Sequence, residues 1–465
     1  MRRPAHVVAA ALVVTLGTAA LAACSPSTST SSSPSTSTLP SATRDRCSSS
    51  VQTMVDATAD YVDGFAAVGA ADATGPSRGP GAPTAAPTPT GTAAPTSAGT
   101  NAPTSTSAAP EGDDTANADT RFQRVLEIAR LQIADDGCDL PQVQSLLRDG
   151  LAGITTDGPV AAAVLRQLTA SMTGAAERAP ATREVKAGED LLEAVAQLPA
   201  GSTIDLAPGT FPLDDVLVLL SPITIRAADR KGAILESSVS DFAVLVVADG
   251  VVTLDGLTVR HTGKEPANVV LAGPTASLVV TRSTVTGGVA RSDGTGGAGI
   301  LMYDPGTDER ADTTTLEVTG SRFLGNAAAG AVLTGGRVAS ITGSTFSKNS
   351  QCGVCFLDHS GGSVEGSTFT DNGVGVAAAG GSAPTVVKST IRGGEVGVQA
   401  SETASPVLDE VRISGASRAA MIYSGRAAGV IRSVTCTKVP FGLVVGPQVA
   451  PTVTDTTCAV IASTR

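Results

Sequence analysis

The chain has 465 residues, with 32 Lys and Arg against 43 Asp and Glu, a formal net charge of -11, no Trp and only three Tyr. An acidic balance with no basic patch excludes a reader of nucleic acid and a protein that docks by charge on anionic lipid. Few aromatic side chains leave few platforms for stacking on sugar rings.

In chain order, residues 1–23 read as an export signal: Arg2 and Arg3 precede an apolar run from Val7 to Leu21, which ends in Leu21-Ala22-Ala23-Cys24. That tetrapeptide resembles a bacterial lipobox, and the resemblance implies that Cys24 becomes the acylated first residue of the mature chain. Several acyl chains on one residue hold a protein to a membrane far better than a single chain does. The Ser/Thr/Pro-rich stretch 24–46 is the expected tether between membrane and folded part. Loss of residues 1–23 removes two Arg and no acid, leaving 30 basic against 43 acidic residues. The expected location is the cell envelope, lipid-anchored at the outer face of the plasma membrane.

Residues 47–180 carry helical periodicity. Val51, Met54, Val55, Tyr61, Val62 and Phe65 form one stripe, with Thr58 as its polar member. Further stripes over 121–135, 140–154 and 160–178 complete a small helical unit. The tract 72–118, rich in Ala, Pro, Thr, Ser and Gly, cannot bury a core and reads as a disordered linker. Cys47 and Cys138 flank the two helices that this linker joins, and outside the membrane they would most simply form a disulfide stapling them.

A repeat organises the rest. Val318-Thr-Gly-Ser-Arg-Phe-Leu-Gly-Asn326 returns as Ile341-Thr-Gly-Ser-Thr-Phe-Ser-Lys-Asn349 and as Val364-Glu-Gly-Ser-Thr-Phe-Thr-Asp-Asn372, a step of 23 residues each time. A fixed period of this size marks a solenoid, whose coils cover one another's apolar faces. The register extends as an aliphatic column from Leu254 to Val453 and as a second column Val259, Val285, Phe323, Phe346, Phe369, Ile391, Ile413, Cys436, Cys458. A small-residue pattern, such as Cys352-Gly-Val-Cys355 and Val374-Gly-Val-Ala377, marks another strand per coil. Coils of 22–23 residues are too short for strand plus helix and fit a parallel β-helix with two or three short strands per turn.

These rungs resemble the right-handed parallel β-helix family that includes pectate lyases, polygalacturonases and alginate epimerases, over about residues 184–461 of a domain expected to span 184–465. The resemblance implies an all-β right-handed solenoid of about nine coils, and it makes Asn326, Asn349 and Asn372 an asparagine ladder at a tight turn. Asn tolerates the left-handed backbone of such a turn, and its amide can bond neighbouring backbone. A short helix at about 189–198, with Leu191, Leu192, Val195 and Leu198, is expected to cap the N-terminal end of the stack.

Cys436 and Cys458 share one inward column in adjacent coils, roughly 4.8 Å apart, inside the range for a disulfide; stacked free thiols are the other reading. Strand alternation puts Cys352 and Cys355 on opposite faces, too far apart to bond without a local bend, and a lone Cys-x-x-Cys completes no metal site. Neither metal nor cofactor is expected.

Chemistry is sought where coils are irregular. Steps of 26 and 38 residues place insertions at 286–297 and 302–315, beside the loop 261–266. The polar residues His261, Lys264, Glu265, Arg291, Asp293, Asp304, Asp308, Glu309 and Arg310 are candidates to wall a groove there. Tyr303-Asp304-Pro305-Gly306-Thr307-Asp308 is similar to the Asp-Pro-His-Asp motif of alginate epimerases, but Gly-Thr replaces the histidine. No clustered acidic calcium site resembling that of pectate lyases is visible, and Arg282, Arg322, Lys388 and Arg412 read as isolated outward cations. The best catalytic geometry pairs Asp304 with Asp358 two coils on, roughly 9.6 Å away. Gly336 would leave room for a water between them and His359 would tune Asp358, as in an inverting glycoside hydrolase.

The leading functional expectation is a membrane-anchored scaffold that recognises extracellular or wall polysaccharide. A polysaccharide lyase, hydrolase or epimerase is the second class, and a structural or protein-interaction module the third. The open last coil is expected to dock a protein partner or a second copy, or to be shielded by the tail 459–465.

Overall fold

The computed structural model describes residues 41–66, 114–228, 232–304 and 315–462. The export signal, Cys24, the tether up to residue 40, most of the linker 72–118, and Asp308, Glu309 and Arg310 lie outside the described residues.

Four helices build the N-terminal unit: α1 (Ser41–Asp63), α2 (Asp114–Asp135), α3 (Leu140–Ala152) and α4 (Pro159–Met172). The periodic stripes become its core, with Val51, Met54, Val62, Phe122, Leu126 and Ile133 buried and Tyr61 stacked on Phe122 at 4.3 Å. Thr58, fully buried in that stripe, returns its hydroxyl to the Met54 carbonyl at 2.7 Å, which removes the cost of a buried unpaired donor. A disulfide joins Cys47 in α1 to Cys138 just after α2, with Cα atoms 5.9 Å apart. α1 begins inside the stretch read as tether, and α2 begins at Asp114, inside the stretch read as linker.

The rest is a parallel solenoid of about eleven turns, its strands stacked into sheets of 12, 11 and 10 strands. Each regular coil passes from the first sheet (for example Val338–Thr342) through the second (Thr345–Ser347) to the third (Cys352–Phe356). The aliphatic column lies inside the first sheet and extends two rungs further back, through Ile225 and Ile204. Ile204, Ile225 and Leu254 are separated by 21 and then 29 residues, off the regular coil step, and the sequence count of about nine stops short of the first two. Phe323, Phe346 and Phe369 fill the second column as a parallel ring stack with centroids 4.7 and 5.1 Å apart.

Helix α5 (Leu191–Ala196) closes the N-terminal end: Asp190 caps it by accepting from the Glu193 amide at 3.1 Å, and Leu191, Ala194 and Leu198 join the solenoid core. The helical unit is not separate from the solenoid. Its core continues onto the outer face of the third sheet through Val216, Val218, Phe242, Leu245, Leu271 and Leu301, so that sheet is apolar on both faces over its first half.

One feature corrects the sequence reading. Cys352 and Cys355 are disulfide-bonded, with Cα atoms 5.9 Å apart. The bend that this requires comes at Gly353. A Cβ there would meet the Phe369 ring at 2.5 Å, and the equivalent Gly330, Gly375 and Gly397 are crowded in the same way by Phe346, Ile391 and Ile413. The chain turns its corner at this glycine column, so Cys352 before the corner and Cys355 after it both reach one outer apolar cluster with Ala329, Val374 and Ala377. At the other end, residues 460–462 form a strand that extends the third sheet beside Leu443–Val445. Cys436 and Cys458 are joined, with Cα atoms 5.0 Å apart, and Phe441, Val460 and Ile461 remain exposed.

Candidate functional site

The turns that lead from the third sheet back to the first hold the acidic candidates. Asp304 follows the strand Ile300–Met302, and its carboxylate accepts from the Gly336 amide at 3.4 Å. Asp358, one coil beyond that turn, accepts from the Gly335 amide at 3.3 Å and has a left-handed backbone, φ 56°. Both carboxylates therefore bond to one two-glycine turn from opposite sides. The peptide of that turn, and not a gap at Gly336, stands between them. Gly335 is required there: φ is 57°, and a Cβ would lie 2.6 Å from the Asp304 Cγ. His359 packs over Gly381 of the following coil, whose added Cβ would meet the ring at 2.9 Å.

Beneath this turn sits a residue that the repeat did not single out. Arg337 is 3% exposed. Its guanidinium donates to the Ala276 carbonyl at 2.9 Å, to the Tyr303 carbonyl at 3.4 Å and to the Gly273 carbonyl. Gly273 and Ala276 belong to the turn two coils back, so the arginine reaches from its own turn past Tyr303 to that earlier turn. Burial pulls its pKa down to about 10, and the Asp304 charge opposes that shift. The long coil step was the only sign in the sequence that a turn would need filling.

The expected groove residues are dispersed. His261 is buried and holds backbone, its ring nitrogens 3.0 Å from the Val239 carbonyl and 3.3 Å from the Gly287 carbonyl. Lys264 and Glu265 are exposed in their loop. Arg291 pairs with Asp241 at 2.8 Å, and Asp293 accepts from the Thr295 hydroxyl and amide at 2.7 and 2.9 Å. Those two bonds pull the Asp293 pKa below the usual carboxylate range. Among the described residues, no three His, Cys, Asp or Glu side chains are grouped to hold a metal.

Two ladders run down the turns. Asn326, Asn349 and Asn372 are buried, each amide nitrogen donating to the next residue's Oδ1, at 3.0 and 2.9 Å. In the turn between the first and second sheets, Ser283, Ser321, Ser344, Ser367 and Ser389 form a serine ladder. Each hydroxyl oxygen from Ser321 onward accepts from the preceding serine's amide, at 3.1 to 3.2 Å. The Gly-Ser dipeptide repeated at 320–321, 343–344 and 366–367 is its signal in the sequence.

The outward faces differ in charge. On the first sheet, Arg226 forks onto Asp205 and Arg432 onto Asp409, while Arg183 bonds the neutral Gln197. Arg282, read as isolated, bonds Asp255 at 2.6 Å across 27 residues. Asp409 is held below the usual carboxylate range by its hydrogen bond from Arg432. The second sheet holds one such pair in its early strands, Arg260 with Glu236, but its later strands are unlike this. From Thr284–Thr286 to Thr435–Thr437 its seven strands present eight Thr, two Ser, three Arg and one Leu outward, with no carboxylate. Arg322, Arg392 and Arg412 are exposed there, and among the described residues none of them is in an ion pair.

The fold and its faces define a β-helical scaffold: a stack of parallel coils with three long sheet faces. Over residues 298–446 the chain matches the family model described as a right handed beta helix region, and its solenoid is a right-handed parallel β-helix. A comparison with curated proteins finds none that matches.

Proposed function

We propose that the chain is an exported scaffold, anchored through a lipid on Cys24 at the outer face of the plasma membrane, that recognises extracellular or wall polysaccharide along its solenoid. Export is supported by cysteine use. Of seven cysteines, six pair in three disulfides, bonds that persist outside the reducing cytoplasm. The one left over is Cys24, in the lipobox-like Leu21-Ala22-Ala23-Cys24. Replacing Cys24 with Ser should move the protein from the membrane to the soluble fraction of export-competent cells; a variant that still sediments with membranes refutes the anchor.

The observation that carries polysaccharide recognition is the hydroxyl-rich outward face of the second sheet. Its Thr and Ser rows repeat at the strand spacing of roughly 4.8 Å, held flat by a disulfide-stapled, ring-stacked core. Such rows offer alternating donors and acceptors to the hydroxyls of an extended sugar chain. Binding of the mature chain to a panel of neutral and acidic polysaccharides tests the reading. Retention on at least one glycan is expected, and retention on none refutes it.

A further inference from the structure

We propose that the second-sheet face takes a sparsely charged anionic polysaccharide, laid lengthwise along the solenoid; this rests on the polysaccharide reading above. The argument starts from the contrast in charge. The protein carries a net charge of -11, and Arg226, Arg282 and Arg432 along the first sheet are paired with aspartates, yet the last seven strands of the second sheet present three exposed guanidiniums and no carboxylate. A cationic strip on an acidic protein is a selective feature, because the surrounding field repels polyanions that the strip itself does not match.

Register sets the spacing. Arg322 and Arg412 share one outward row, separated by Thr345, Thr368 and Thr390. At the strand spacing they stand roughly 19 Å apart. Arg392 lies in the neighbouring row, one strand before Arg412, opposite Ser414. Three positive charges over seven strands, a length of roughly 29 Å, amount to about one per 10 Å, with hydroxyls between. A glycan with an acid group on every ring would set more charges on this strip than it has guanidiniums, and the surplus would rest on threonines inside a repelling field. A neutral glycan would use the hydroxyls and leave the guanidiniums idle. A chain with an anionic group every few sugars matches both features, since guanidinium forks onto a carboxylate with two parallel hydrogen bonds.

The test uses the full mature chain and polygalacturonate at three degrees of methyl esterification: fully de-esterified, partially esterified and fully esterified. Affinity is measured at physiological salt. The partially esterified polymer should bind most tightly, and raising the salt should weaken it. Three exposed pairs, each worth a fraction of a factor of ten, predict that Arg322→Gln/Arg392→Gln/Arg412→Gln weakens that binding roughly tenfold. The triple variant should keep its unfolding temperature, and Arg226→Gln on the first sheet should leave binding unchanged. Equal affinity across the three polymers, tightest binding to the fully charged one, or an unaffected triple variant overturns the charge-matched strip while leaving glycan recognition intact. No binding to any of these polymers or to the wider panel overturns both.

Discussion

Asn349 sits at the centre of its ladder, fully buried, and makes four side-chain hydrogen bonds. Its Oδ1 accepts from the Asn326 main-chain amide at 3.2 Å and from the Asn326 side chain at 3.0 Å. Its Nδ2 donates to the Phe323 carbonyl at 3.2 Å and to Asn372 Oδ1 at 2.9 Å. Asn349→Ala removes all four and leaves the buried Asn326 amide without its acceptor. At about 1 kcal/mol net per bond, the expected loss is about 4 kcal/mol, with the orphaned amide acting in the same direction. Because each coil of a solenoid contacts only its neighbours, this loss should be local before it is global. Native-state hydrogen exchange is therefore the assay: protection should fall over residues 318–372, with the helical unit less affected. A loss below about 1 kcal/mol, or a uniform loss across the chain, refutes the ladder as a principal tie between these coils.

Two further perturbations test the core. Tyr423 is 1% exposed inside the solenoid and its hydroxyl has no hydrogen-bond partner, so Tyr423→Phe should stabilise the protein by about 1 kcal/mol or more; a less stable variant refutes this. Burial also raises the pKa of Tyr423, so the folded state keeps a proton that the unfolded chain releases above about pH 10. Its share of stability is intact below that pH and lost as pH rises above it, and the Phe variant should lack this alkaline loss in denaturant titrations. Gly353→Ala puts a methyl 2.5 Å from the Phe369 ring and 2.6 Å from the Gly375 carbonyl, which should cost about 2 kcal/mol or more; an unchanged melting temperature would show that the corner tolerates a side chain.

The aliphatic and phenylalanine columns, the 22–23-residue coil and the Asn326, Asn349, Asn372 row were legible in the sequence because strand alternation and turn chemistry are local properties repeated many times. Legibility stopped where a side chain's partner lies in another coil and the coil step is irregular. Asp255 meets Arg282, and Arg337 reaches Gly273 and Ala276, only after the 26- and 38-residue steps are folded into the stack, so no fixed sequence spacing announces either contact. The two carboxylates Asp304 and Asp358 were placed on the correct edge by counting, but what fills the space between them depends on how the Gly335–Gly336 turn packs. Cys352 and Cys355 show the same limit at short range: alternation holds along a straight strand, and it breaks at Gly353, so that both cysteines lie in the outer cluster while Val354 and Phe356 join the inner core. The charge contrast between faces is likewise a tertiary property, since lone arginines look alike in the sequence until the register decides which of them meet a carboxylate.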